Sequence, residues 1–91
     1  MRKVVTKDGD KEEFDERKLY ASIYYPAKEA EYTDSGAEKL ADEVVDAVTT
    51  WMDDHEDDIV TTKELRQHVR DLLEERDEGV AFLYATYLDI N

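Results

Sequence analysis

The strongest local structural signal in the chain is Arg2-Lys3-Val4-Val5-Thr6-Lys7-Asp8-Gly9-Asp10-Lys11-Glu12-Glu13-Phe14-Asp15. A β-branched run meets an Asp-Gly pair, and a short return segment follows that pair. Asp-Gly between two such runs indicates a β-hairpin, because glycine adopts a positive φ at little steric cost. We therefore predict strands near 2–7 and 11–14, followed by a first helix that Asp15 caps at its N-terminus.

Two lysines accompany this hairpin and the helix after it. Lys7 lies beside the predicted turn, and Lys18 lies in the first turn of the predicted helix. Free backbone N–H groups and the helix dipole both favour an anion at a helix N-terminus. The two lysines therefore suit an anionic ligand, although exposed lysines are also the ordinary content of a solvated surface.

Apolar residues recur at helical spacing in four segments. Pro26 is expected to kink or end the first helix near Tyr25. The second helix has the clearest pattern, opening with a capping-box pair of Ser35 and Glu38 and ending within the acidic stretch 53–58. Its apolar face consists of residues spaced three and four apart: Ala37, Leu40, Ala41, Val44, Val45, Val48, Trp51 and Met52.

A short strand and two further helices complete the pattern. The strand is predicted at Ile59-Val60-Thr61, a third helix begins near Thr62, and a fourth follows Gly79. We therefore expect one α+β domain over residues 1–91. Its small three-stranded sheet, made of the N-terminal hairpin and the strand near 59–61, would lie over a four-helix bundle that buries four apolar stripes.

The charge balance is strongly acidic, with 25 acidic and 12 basic residues and a formal net charge of −13. Such a surface repels nucleic acid and anionic membranes, which both recruit lysine and arginine, so we expect neither as a partner. Two explanations remain, namely adaptation to high salt, where screening removes the self-repulsion, and a basic partner. The spread of the acidic residues along the chain favours the salt explanation.

Several classes of site are excluded or disfavoured. The absence of cysteine excludes disulfides, thiol nucleophiles and Cys-based zinc sites. The acidic run 53–58 lacks the glycine and the terminal glutamate of a calcium loop and is better interpreted as a solvated loop. No arrangement of a catalytic triad or a carboxylate dyad is evident in the sequence. No signal peptide is evident, and we expect a cytoplasmic location.

Three blocks of the sequence, in order, resemble the ATP-cone, the regulatory nucleotide-binding domain of many ribonucleotide reductases and of their transcriptional repressor. The family's opening block is matched by Val4-Val5-Thr6-Lys7-Asp8-Gly9 together with Phe14-Asp15 and Lys18-Leu19. The later block is matched by Ile59-Val60-Thr61-Thr62, then Leu65 and Val69. The final helix is matched by Val80-Ala81 with Tyr84 and Tyr87. The resemblance covers essentially the whole chain.

The resemblance implies a non-catalytic module that binds ATP or dATP with Mg²⁺ in a cleft between the hairpin lid and the helix bundle. It implies phosphate contacts for Lys7 and Lys18, with Thr62 at the N-cap of the third helix. The remaining implied positions in or beside the cleft are Val4, Thr6, Asp8, Gly9, Glu12 and Arg66. Bound nucleotide would order the lid and alter association with a second copy or with a partner protein.

The chain also departs from the family pattern. Thr6 and Lys7 stand where the family has Lys-Arg, and lysine lacks the planar fork of arginine. Leu88-Asp89 occupies a place where members often keep a basic residue. The alternative function is therefore a degenerate cone-like scaffold that serves protein–protein contact without nucleotide.

Overall fold

A computed structural model describes residues 2–90 of the chain, with side chains described for residues 2–88. The elements follow one another as β1 (Lys3–Val5), β2 (Lys11–Glu13), α1 (Glu16–Glu29), α2 (Asp34–Asp53), a 3₁₀ turn (Glu56–Asp58), β3 (Ile59–Thr61), α3 (Thr62–Arg76) and α4 (Glu78–Ile90). The predicted α+β class and order of elements are confirmed. None of the helices that the structure describes is long and apolar enough to cross a membrane.

The three strands form one sheet in the order β2-β1-β3. β1 pairs antiparallel with β2 and parallel with β3, so that Val4 lies opposite Glu12 on one side and Val60 on the other. A parallel pair needs a long crossover, which α1 and α2 supply here. β2 is exposed along its whole length, whereas Val4 and Val60 are buried. The hairpin is therefore joined to the rest of the sheet through β1.

A single hydrophobic core underlies the sheet and joins all four helices. Its apolar side chains alternate with exposed charged residues at helical spacing, as expected for amphipathic helices that share one core. The largest fully buried side chains are Ile23 and Pro26 from α1, Val44, Val48 and Met52 from α2, Val60 from β3, Val69 and Leu73 from α3, and Val80 from α4.

Pro26 was expected to kink or end α1 near Tyr25, and the second of these outcomes is wrong. The helix continues to Glu29 with Pro26 inside it. A proline nitrogen lacks one backbone hydrogen bond. The proline ring and the next side chain, Ala27, are both buried in the core. This packing holds the last turn in helical form despite the missing bond.

α2 begins two residues earlier than the sequence indicated. Its N-cap is Thr33, whose Oγ1 accepts a hydrogen bond of 3.1 Å from the Gly36 amide, so the predicted capping box of Ser35 and Glu38 is wrong. The earlier start places Asp34 in the first turn, where a carboxylate interacts favourably with the helix dipole. The Asp34 carboxylate also pairs with the Lys28 ammonium from the last turn of α1.

α3 carries a complete capping box, but one residue before the expected position. The Glu64 amide donates to Thr61 Oγ1 at 3.0 Å, and the Thr61 amide donates to Glu64 Oε1 at 2.9 Å. Thr61 is thus the N-cap, and the expectation of that role for Thr62 is wrong. Because Thr62 has no capping duty, its hydroxyl is available to donate to the Val5 carbonyl of β1 at 3.4 Å. This bond ties the start of α3 to the sheet.

Candidate functional site

An open cavity of about 1020 Å³ lies between the hairpin, the N-terminal half of α3 and the middle of α4. Its volume is at the upper end of the usual range for small-molecule sites, about 300–1,000 Å³. Its walls are formed by Val5, Thr6, Lys7, Asp8, Glu12, Thr61, Thr62, Lys63, Arg66, Gln67, Arg70, Tyr84, Ala85 and Leu88.

The residues that line the cavity include more basic than acidic side chains, whereas the chain as a whole is strongly acidic. Four of the 12 basic residues line the cavity, against two of the 25 acidic ones. The cations are Lys7, Lys63, Arg66 and Arg70, and the carboxylates are Asp8 and Glu12. A cleft lined by one sign of charge concentrates the opposite sign, so this cavity attracts anions although the protein as a whole repels them.

The hairpin wall is shaped by a tight turn at its tip. The Gly9 amide donates to the Thr6 carbonyl at 2.9 Å, and the Thr6 amide donates to the Asp10 carbonyl at 2.9 Å. Gly9 has a φ of 89°, a conformation that costs glycine little, so it fixes the turn without lining the cavity. Lys7 and Asp8 project from this turn and are exposed.

The Thr6 side chain gives the hairpin wall one unusual group. Its Oγ1 is shielded from solvent and has no hydrogen-bond partner among the described residues. Leaving a buried hydroxyl unpaired costs about 1–3 kcal/mol. Thr6 lines the cavity, but because this oxygen is shielded even from water, the side chain would have to rotate before a bound molecule could reach it.

The structure brings together most of the residues implied by the resemblance and separates three of them. Thr6, Lys7, Asp8, Glu12, Thr62 and Arg66 all line the cavity. Val4 is only 9% exposed and belongs to the core beneath the sheet. Lys18 lies instead beside a different surface depression formed by residues 13–18, and Gly9 acts through the turn.

The model of the ATP cone domain family matches residues 2–91 of the chain. The chain belongs to the ATP-cone family. This match confirms, at the level of the family, the resemblance seen in the sequence. Cones are nucleotide-binding regulatory domains and not catalytic ones. No curated protein matches the chain.

Sequence reasoning missed several residues of this cone's cavity. Lys63, Gln67 and Arg70 come from α3, and Tyr84 and Leu88 come from α4. A signal for the α3 residues was present, because positions 63, 66, 67 and 70 repeat at spacings of three and four and so share one helix face. Whether this face of α3 points toward the hairpin depends on how α3 packs against the rest of the domain, and the spacing pattern alone does not predict that packing.

Tyr84 forms the part of the cone's cavity wall nearest the core. Its side chain is 4% exposed, and this burial raises the pKa of the phenol to about 12. The nearby Arg66 guanidinium acts in the opposite direction on the same pKa. The phenol is therefore neutral at physiological pH and can donate a hydrogen bond. Ala85 and Leu88 extend this wall with apolar surface.

The described side chains contain no ready-made metal site, since no group of three or more His, Asp or Glu residues lies close enough to hold an ion. The carboxylates at the cavity are Asp8 and Glu12, both from the hairpin. Mg²⁺ is commonly held by one or two carboxylates together with substrate phosphates and water. These two carboxylates therefore fit a metal ion that is bound jointly by the protein and by the phosphates of a ligand. The side chain of Asp89, where family members often have a basic residue, lies outside the described residues.

Proposed function

We propose that this cone binds ATP or dATP, with Mg²⁺, in the cavity between the hairpin and α3, and that binding regulates association with a second copy or another protein. The observation that carries the proposal is the local excess of cations around a cavity of suitable volume in a chain of net charge −13. A surface that merely carried random charges at this composition would present carboxylates there.

The cavity offers a complementary group for each part of a magnesium–nucleotide complex. The cations that line the cavity would attract the phosphates. The carboxylates Asp8 and Glu12, which line the hairpin side of the same cavity, would bind the metal ion. Tyr84 and Leu88 supply apolar surface of the kind that packs against a base or a ribose. The contact of Lys18 with phosphate, implied by the resemblance, is a separate part of the proposal.

The proposed regulation uses the hairpin as a lid. β2 is hydrogen-bonded only to β1 among the described strands, and it is exposed throughout. A nucleotide held between Lys7 on the hairpin and Arg66 on α3 would bind one arrangement of the hairpin better than others and increase its population. The surface that the hairpin presents to a partner would change with it.

Titration calorimetry with ATP and with dATP, each with Mg²⁺, at low salt and at molar salt tests the binding. Saturable heat is expected, and nucleotide at a hundred times its Kd should stabilise the fold by about 2.7 kcal/mol. Sedimentation velocity with and without nucleotide then tests association. No heat and no thermal shift at millimolar nucleotide in either salt would refute the proposal in favour of the degenerate scaffold.

A further inference from the structure

We propose that the phosphate chain of the nucleotide is held chiefly by three cations on α3, Lys63, Arg66 and Arg70, and that the hairpin Lys7 contributes less to its binding. We name these three residues the α3 cation row. The inference rests on the proposed function and specifies which wall of the cavity recognises the polyphosphate. Neither Lys63 nor Arg70 belongs to the set of positions implied by the resemblance.

The first support is geometric. The three residues are spaced by three and four positions, so they share one face of α3, and all three line the cavity. With a rise of about 1.5 Å per residue, the row extends for about 10 Å along the helix axis. A row of that length can contact a chain of several phosphates at successive points, whereas a single phosphate meets only part of it.

The second support is that the row has few partners within the chain. Among the described side chains, Lys63 and Arg66 have no hydrogen bond and no ion pair. Arg70 uses its Nε to donate to Glu74 at 3.2 Å, which leaves its two terminal nitrogens available. Like charges one turn apart on a helix repel each other, so an anion bound between Arg66 and Arg70 would relieve that repulsion.

The third support is the contrast with the hairpin wall. The hairpin presents Lys7 together with Asp8 and Glu12, so its contribution to the cavity is net negative, whereas the α3 cation row contributes three positive charges. Arginine also offers a planar fork that matches phosphate oxygens in pairs, which lysine does not. The wall with greater attraction for a polyphosphate is therefore α3.

The test compares charge-removing variants of the full chain, Lys63→Gln and Arg70→Gln, with two references. Arg17→Gln is the matched control, because Arg17 is 96% exposed and lies outside the cavity. Lys7→Gln represents the rival hairpin assignment. Calorimetry at constant ionic strength with Mg²⁺ measures the Kd of ATP, ADP, AMP and inorganic tripolyphosphate for each protein, and thermal melts without ligand check that each variant folds.

Arg70→Gln and Lys63→Gln should each weaken ATP and tripolyphosphate by about tenfold, as expected for loss of one charge-assisted contact. AMP should change less than about twofold, and Arg17→Gln should leave every ligand within that range. Arg70→Lys, which keeps the charge but loses the fork, should lie between wild type and Arg70→Gln.

Two results separate failure of this inference from failure of the proposed function. If ATP binds the wild-type chain, and the two α3 variants match Arg17→Gln while Lys7→Gln loses affinity, the row is wrong and the proposed function stands. If neither ATP nor dATP binds, the proposed function fails. In that case the binding of tripolyphosphate tests the α3 cation row. If the wild-type chain binds tripolyphosphate and Arg70→Gln weakens that binding, the row is supported; if the wild-type chain does not bind it, the row is overturned.

Discussion

Replacing Tyr32 with phenylalanine would remove a single hydrogen bond that joins two distant junctions of the helix bundle. Tyr32 lies between α1 and α2, and its phenol donates to Asp77 Oδ2 at 2.5 Å. The other carboxylate oxygen of Asp77 accepts the amides of Gly79 at 2.9 Å and Val80 at 3.2 Å, at the start of α4. One carboxylate therefore receives hydrogen bonds from the α1–α2 junction and from α4.

The expected loss follows from the kind of bond removed. A hydrogen bond to a charged group contributes about 1.5–3 kcal/mol to the free energy of unfolding. Tyr32 and Asp77 are both partly exposed, so solvent screening reduces the value, and we expect Tyr32→Phe to cost about 1–2 kcal/mol. For a domain of this size each kcal/mol corresponds to about 4–8 °C in Tm.

The effect should depend on pH with a definite sign. The hydrogen bond to Asp77 raises the pKa of Tyr32 to about 12 and lowers the pKa of Asp77. The contribution of the phenol is complete below its ordinary pKa of about 10 and is lost as pH rises from there toward 12. The contribution of the carboxylate is complete above about pH 4 and is lost as pH falls below that value.

Urea unfolding followed by circular dichroism measures the difference between wild type and Tyr32→Phe across this range. Tyr25→Phe is the matched control, because Tyr25 is 63% exposed and its hydroxyl has no hydrogen bond among the described residues. The reasoning fails if the two variants lose equal stability at neutral pH. It also fails if the deficit of Tyr32→Phe is as large near pH 12 as at neutral pH.

Three further changes test other parts of the structure. Gly9→Ala should cost about 1–2 kcal/mol in urea unfolding, because the φ of 89° is strained for alanine, and an unchanged midpoint would contradict the turn geometry. Arg2→Met removes two contacts of 2.9 Å to Asp53, so its small loss of stability at low salt should disappear in molar salt. Burial lowers the pKa of His68, whose ring stacks on that of Trp51 with a distance of 4.2 Å between the ring centroids. Stability should therefore fall as pH drops through about 6.5, and a His68→Gln variant with the same pH slope would refute this.

The parts of the fold that depend on local chemistry could be predicted from the sequence. Asp8-Gly9 and the apolar spacing of the helices are short-range signals, and they gave the hairpin and the four helices in order. The predicted N-cap of α1 at Asp15 is confirmed, because its carboxylate accepts hydrogen bonds from the Arg17 and Lys18 amides, whereas the caps of α2 and α3 were predicted wrongly. Thr33 and Ser35 are both good N-cap residues, as are Thr61 and Thr62, so the choice is made by tertiary contacts such as that between Thr62 and Val5.

Some residues of the site could likewise be predicted from sequence motifs, whereas the position of others depends on the packing of the whole domain. The order of the family blocks was enough to anticipate that the hairpin and the start of α3 meet, with Thr6 and Arg66 lining the same cavity. The positions of Lys63, Arg70 and Lys18 relative to the cavity depend on how α3 and α1 are rotated about their axes. That rotation is set by the packing of buried side chains throughout the core, which a charge pattern does not reveal.

The parallel pairing of β1 with β3 has a consequence for the order in which the chain folds. Val4 and Val60 are partners although α1 and α2 lie between them in the sequence, so closing this loop costs chain entropy that helix formation alone does not. Contacts of such long range form late in folding. A chain with its helices in place but without this strand pair would have no cavity. Because the cavity exists only while this pair is closed, a ligand of the cavity should slow the exchange of the amide hydrogens that pair β3 with β1.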